Sequence, residues 1–398
     1  METGLCCTRV MRVDSNFYGS VPMNDAGNHG PRPVDRRYGN DDFIACYDNL
    51  IHWAKTMDTL GYDTMWLTEH HFQYEGYEVV PNLILFGLYL TTTTQRLRLG
   101  QMFNIVPQWH PLHLAEDFAM ADILSGGRMQ FGVGRGTVPR ESETFGATVA
   151  SGDNELSREA DRVNRELFEE SMTIILDAFA NERFSFSGKH FTFPPPGIPD
   201  RGSVVKDLTL VPKPRTMPPV YQAVGSPATL DYVASQGFRG VFANTHPTKL
   251  LPRWERFGEI AAEHGFDRGP GGGRVLVMHV HLGTTRADAF RTGRDGHDEF
   301  CRFLAPYGRF SGYLGQESGK ALGYQPTLEE SVDQKIMAIG SVAEVVDTIG
   351  MYRELLDLQH LCCFFELPGL TRNQLDDQLH QFAADVLPQL GVHLSASR

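Results

Sequence analysis

Four consecutive residues, Glu69-His70-His71-Phe72, stand where a strand-like run, Asp63-Thr64-Met65-Trp66-Leu67-Thr68, comes to its end. A carboxylate beside two imidazoles can hold or move a proton near neutral pH, because imidazole is the side chain that titrates there. Neighbouring strand residues point to opposite faces, so one histidine serves a site and the other packs unless the backbone turns. Three further strand ends carry polar or glycine-rich runs: Gln101 to His110, Gly132-Val133-Gly134-Arg135-Gly136, and Val224-Gly225-Ser226-Pro227-Ala228-Thr229. The glycines let a ligand approach the backbone, and Arg135 is placed to meet an anion. Ser226 predicts an N-cap, with Pro227 at the first helical position and Thr229 in the first turn. A helix start with hydroxyls and free N–H groups is a phosphate cradle. His279 and His281 share a strand face, and together with Glu69, His70 and His71 they leave a metal site open as an alternative.

The elements that must position these residues alternate along the chain. Strand-like runs fall near 8–18, 62–69, 97–106, 129–134, 219–224, 239–243, 274–282 and 361–367. Helix-like runs fall near 41–60, 81–94, 111–125, 158–180, 227–236, 247–264, 342–357 and 371–386. In the first helix Phe43, Tyr47, Leu50, Ile51, Ala54, Met57 and Leu60 share a face, and Gly61 reads as its C-cap. Eight strands each followed by a helix predict an α/β fold, a closed (β/α)8 TIM barrel, with a doubly wound open sheet as the alternative. The whole chain, 1–398, reads as one domain with insertions after strands four and seven. The first, 183–218, holds a hairpin-like Phe184 to Phe193; the second, 290–335, is Gly-rich and charged and is a candidate mobile lid.

With 398 residues, 41% of them hydrophobic, the chain has material for one large core. A net charge of -13 argues against nucleic acid or an anionic membrane as the main partner. The longest apolar run, Leu83 to Leu90, is too short to span a bilayer, and the start lacks a basic-then-apolar leader. Six cysteines, including the pairs Cys6-Cys7 and Cys362-Cys363, lack disulfide or zinc spacing, so reduced thiols in a cytoplasmic protein are expected. There is no internal repeat or low-complexity tract.

The ordered set Met65 to Phe72, Leu97-Arg98-Leu99-Gly100, His110-Pro111, Ala115-Glu116-Asp117, Gly127-Arg128 and Phe131 to Gly136 closely resembles the bacterial luciferase-like flavin monooxygenases. The likeness continues through Pro219 to Thr229 and Ala234 to Gly237, so it covers roughly 8–245, the rest by barrel plan only. It implies a dimeric barrel that takes reduced FMN from a separate NAD(P)H flavin reductase. Oxygen then adds to the flavin as a 4a-hydroperoxide, which oxygenates a small, largely apolar organic substrate by hydroxylation or Baeyer–Villiger chemistry. By the same resemblance His70 matches the catalytic histidine, and Glu69 the acid beside the flavin. Met102 and Phe103 match a pair under the ring, often joined by a non-proline cis peptide. Arg135, Ser226 and Thr229 match phosphate ligands, and Thr137, Val138, Ala223 and Gly225 match positions along the phosphate tail or ring edge.

Two departures stand out. Luciferases proper have a cysteine where this chain has Gly134 and a glutamate where it has Gly225, which argues against light emission. Phe17, Met102, Phe103 and Trp109 are the candidates for a dry pocket around the reacting oxygen. Three rivals compete with the oxygenase: a deazaflavin-dependent hydride-transfer enzyme of the same barrel family, a non-catalytic flavin-binding relative, and a metal-dependent barrel hydrolase.

Overall fold

The computed structural model describes residues 11–149, 155–243, 245–307, 310 and 323–394. Eight parallel strands form the centre: β1 Arg12–Phe17, β2 Thr64–Leu67, β3 Arg98–Gln101, β4 Met129–Gly134, β5 Val220–Ala223, β6 Arg239–Ala243, β7 Arg274–Leu282 and β8 His360–Phe364. Each pairs with the next, β4 with β5 through Val220 opposite Phe131, and β8 closes onto β1 through His360 opposite Arg12. The sheet is therefore a closed barrel, and the open-sheet alternative falls away.

The helix Asn40–Leu60 illustrates how local sequence builds the outer ring. Its apolar face buries Cys46, Leu50, Trp53, Ala54 and Met57. The helix stops where Gly61 adopts φ 91 and donates its N–H to the Met57 carbonyl at 2.9 Å, the left-handed cap that a Cβ would disfavour. Side-chain parity divides each strand. Leu361 and Cys363 of β8 pack outward with the helices, whereas Cys362 and Phe364 join Trp66, Met102, Tyr221, Val241, Val275 and Val277 inside the barrel.

Both expected insertions are present. After β4 come the helices Pro139–Thr144 and Glu155–Ala180 and two short antiparallel pairs, one of them the expected hairpin with Phe186 opposite Phe193. After β7 the segment read as a candidate mobile lid, 290–335, carries secondary structure of its own. A 19-residue helix, Arg286–Leu304, leads to a helix Leu328–Asp333 and a strand Ala338–Gly340 that extends β7 in parallel. Residues 308–309 and 311–322 of that segment lie outside the described residues, as do Cys6 and Cys7.

Buried charge fastens the insertion helix to the rest. Glu299 accepts Arg36 Nε and Nη2 at 3.0 Å each, the Gly27 N–H at 2.7 Å, and the Tyr77 hydroxyl. Because both carboxylate and guanidinium are buried, removing one partner strands the other, at a cost of about 3–5 kcal/mol. Cys46, Cys301, Cys362 and Cys363 are free and buried, and burial raises each thiol's pKa well above its ordinary value.

Candidate active site

The carboxyl ends of the strands converge on one mouth, and the end of β2 brings the densest polar chemistry to it. His70 Nδ1 lies 3.1 Å from Glu141 Oε2, and its Nε2 lies 3.2 Å from Glu78 Oε2. Glu141 is delivered by the short helix Pro139–Thr144 just past β4, and it also accepts Gln73 Nε2–H at 2.7 Å. Burial pushes the Glu141 carboxyl up, but the hydrogen bond and charge of His70 outweigh it and leave the group below its usual range. Neither Glu78 nor Glu141 was anticipated from the sequence.

Glu69 takes a different part from its neighbour. It is 1% exposed and accepts the Trp109 indole N–H at 3.1 Å and the Ile105 N–H at 3.2 Å. His71 Nε2 stands 3.2 Å from the same carboxylate, and its ring packs edge-on against Phe145. The two adjacent imidazoles, past the end of β2, thus serve separate carboxylates, and Glu69 ties the end of β2 to the segment beyond β3.

That segment holds Met102 and Phe103, joined by a cis peptide. Asn104 and Ile105 then pair with Val133 and Gly134 of β4. Met102 sits 6% exposed in the barrel interior, with Phe103 beside it.

β4 and β5 are neighbours, with Gln222 opposite Val133, which carries Ala223 level with Gly134. Ser226 caps the helix Pro227–Ser235 as expected, accepting the Thr229 N–H at 3.2 Å, and the two hydroxyls lie 3.0 Å apart. A Cβ on Gly225 would meet nothing within 4 Å, so the strand end is open. Thr137 and Ala223 are exposed, whereas Val138 is buried. Arg135 was read as placed for an anion, and it has one within the chain: Nη1 lies 2.9 Å from Asp161 Oδ1 on the helix Glu155–Ala180.

The aromatic wall is not the one expected. Phe17 is wholly buried on the outer side of β1, stacked on Trp53 at 5.5 Å, so it lies away from the mouth. Parity explains this: Tyr18, the next residue, turns inward and stacks on Phe364 at 4.4 Å. His279 lies against Phe364 at 4.8 Å and Phe300 at 4.6 Å. Glu366 holds this corner, accepting the N–H groups of Tyr18 and Ser20 at 2.7 Å and of Gly19 at 3.1 Å. Burial nevertheless lifts its carboxyl to about 7. A narrow gap of about 10 Å³, the space of a single water, lies between Tyr18, Tyr77, Glu78, Phe300, Phe303 and Leu304. It borders the His70 partner Glu78.

His279 and His281 do not converge on the β2 histidines. His279 is buried among rings, its two nitrogens without a protein hydrogen-bond partner, and burial pushes its pKa down to about 3. His281 instead faces Thr292 Oγ1 at 2.8 Å. Among the described residues no group of three or more His, Cys, Asp or Glu is arranged to hold a metal ion.

Comparison with known proteins agrees with this architecture. In solved structures, the FMN complex of the oxygenating constituent of 3,6-diketocamphane monooxygenase, a type II Baeyer–Villiger enzyme from a Pseudomonas putida plasmid, has a TM-score of 0.72 at 20% identity. It covers 97% of this chain and 99% of that one. An F420-dependent secondary alcohol dehydrogenase bound to an F420-acetone adduct has a TM-score of 0.59 at 14% identity, covering 96% and 99%. In sequence, the alkanal monooxygenase alpha chain of a Kryptophanaron alfredi symbiont is 23% identical over 371 residues, 86% of this chain and 92% of the relative. The family model of luciferase-like monooxygenases matches residues 26–359, most of the barrel together with the insertion after β7, and the chain belongs to that family.

Proposed function

We propose that this chain is the oxygenase half of a two-component monooxygenase, which uses reduced FMN and dioxygen to oxygenate a small, largely apolar organic molecule. The observation that carries the reading is His70, set between two carboxylates at the mouth, one of which, Glu78, borders the aromatic cluster of Tyr18, Phe300 and Phe303. The residues fit the cofactor's phosphate end: Ser226 and Thr229 hydroxyls at a helix start, the open backbone at Gly225, and the Arg135 guanidinium on the neighbouring strand end. Thr137, Val138 and Ala223 border that path, and Met102 and Phe103 offer an apolar seat for the ring. When bound, reduced flavin supplies the electrons that split dioxygen. The chain's own work is to hold the ring against Met102 and Phe103, exclude water with Tyr18, Phe300 and Phe364, and manage a proton at His70.

The name of the diketocamphane enzyme, an oxygenating constituent, supports a separate NAD(P)H flavin reductase as partner. A homodimer is supported by large apolar side chains left exposed on two neighbouring helices, Leu85 and Tyr89 on Leu83–Thr93, and Met120 and Leu124 on Pro111–Leu124. No helix among the described residues is long and apolar enough to cross a membrane, and a cytoplasmic site of action is part of the proposal.

The deciding experiment is anaerobic loading with reduced FMN, then rapid mixing with oxygenated buffer while the flavin spectrum is followed. A species distinct from both reduced and oxidised flavin, persisting for seconds, is the expected result. The likeness to the F420-dependent dehydrogenase favours a second reading, hydride transfer with a deazaflavin. Tight binding of F420 with no oxygen-dependent spectral change would replace the first reading with the second.

A further inference from the structure

His70 meets a different carboxylate at each ring nitrogen, Glu141 at Nδ1 and Glu78 at Nε2, at 3.1 and 3.2 Å. A neutral imidazole has one N–H and one lone pair. It can donate to one ionised carboxylate only and must turn its lone pair toward the other. An imidazolium donates from Nδ1 to Glu141 and sets its charge 3.2 Å from Glu78, and each carboxylate favours that form.

The surroundings reinforce this. Among the described residues, Arg140 faces Glu75 at 2.7 and 2.9 Å and Gln73 Oε1 at 3.1 Å, so its charge is directed to those groups. Gln73 in turn donates to Glu141 and holds that carboxylate in place. Tyr307 approaches from the turn Ala305–Tyr307; burial first, and then Glu141, Glu75 and Glu78, keep its phenol protonated, so it adds no charge. The sequence neighbours Glu69 and His71 face each other. Both carboxylates are buried, Glu141 at 3% and Glu78 at 4% exposed, but Glu141 is backed by Gln73 whereas Glu78 borders the narrow gap beside Tyr18 and Phe300.

We propose that His70 is held as an imidazolium at neutral pH and enters the reaction as a proton donor: Glu141 is the positioning residue that anchors Nδ1, and the proton on Nε2, beside Glu78, is the one given up, leaving a neutral imidazole still held by Glu141. The inference rests on reading His70 as the proton-handling residue and deepens it. A donor at this position favours oxygen transfer to electron-rich carbon or heteroatoms. A base there would favour attack on a carbonyl, so the substrate class is an electron-rich ring, amine or sulfide in preference to an aldehyde or ketone.

The test is made on the full chain without flavin, so that it is independent of cofactor choice. With ¹⁵N-labelled histidine, the ring resonances of His70, assigned by their loss in His70→Gln, are followed from pH 5 to 9. The expected midpoint is at least one unit above the ordinary imidazole value of about 6.5. Glu141→Gln and, separately, Glu78→Gln are each expected to lower it by about one unit while the other histidines keep their midpoints. A wild-type midpoint at or below about 6.5 overturns the proposal, as does a midpoint unmoved in both variants. Should Glu141→Gln fail to fold, the wild-type midpoint and Glu78→Gln still decide. A raised midpoint in a protein that neither binds FMN nor oxygenates would sink the function proposed above and leave the protonation state standing.

Discussion

A Cβ built on Gly134 would lie 3.0 Å from the Cβ of Phe103, closer than carbon atoms normally approach. The end of β4 is therefore shaped against the segment proposed to seat the flavin ring. Gly134→Ala must push Phe103 aside, with an expected stability loss of about 1–3 kcal/mol and weaker flavin binding. Gly225→Ala adds its methyl to open space and should leave urea stability within about 0.5 kcal/mol of wild type. Equal urea midpoints for both variants would show that β4 yields without strain.

Arg135→Ala and Ser226→Ala separate the phosphate end from the ring end. A lost charge-assisted hydrogen bond is worth about 1.5–3 kcal/mol, roughly a tenfold or greater rise in Kd for FMN. Riboflavin, which lacks the phosphate, should bind wild type and variants alike. Parallel losses for both ligands in fluorescence titrations would move the phosphate elsewhere. Asp161, left without Arg135, is partly exposed and rehydrates, so stability should change little.

His70→Ala should keep flavin affinity within about twofold and lower coupled product formation at least tenfold, a conservative bound against the roughly 10²- to 10⁴-fold that general acid–base catalysis contributes. Product yield per NADH consumed is the measurement. An unchanged yield would remove His70 from the chemistry.

His279 offers a pH signature of a different origin. Its folded pKa of about 3 lies below the unfolded value of about 6.5, so between these limits the unfolded chain binds the extra proton. Stability is then full above about pH 6.5 and is lost as pH falls, at about 1.4 kcal/mol per unit from this site. Between pH 6.5 and 5 wild type should lose roughly 2 kcal/mol more than His279→Leu. Urea unfolding at both pH values tests this, and identical pH dependence would mean that the ring already charges in the folded state.

The exposed helices predict the assembly. Leu85→Lys combined with Met120→Lys should convert a dimer to a monomer in light scattering at micromolar concentration, with little change in the monomer's helix content. A wild-type monomer at that concentration would refute a homodimer through this face.

What the chain disclosed as sequence was set by locality. Strands β1 to β8 and the helices between them follow from period, and the Ser226 cap follows from three adjacent residues. The helix Arg286–Leu304 was missed because the segment from 290, with Gly293 and Gly296 in it, reads as Gly-rich and charged. In the fold they are close-packing positions, where a Cβ would come within 2.9 Å of the His281 ring and 2.7 Å of Leu367. Phe17 and Tyr18 were exchanged as pocket candidates by one step of strand parity. The carboxylates on His70 were illegible for another reason: Glu141 follows it by 71 positions, and only the short helix past β4 brings it back.

Glu299 joins the insertion helix to Tyr77, and Tyr77 is the residue before Glu78, the carboxylate at Nε2 of His70. The insertion helix and the carboxylate beside His70 are thus joined through three side chains, so transplanting the segment after β7 from a relative is expected to disturb the setting of His70 unless Glu299, Arg36 and Tyr77 travel as a set.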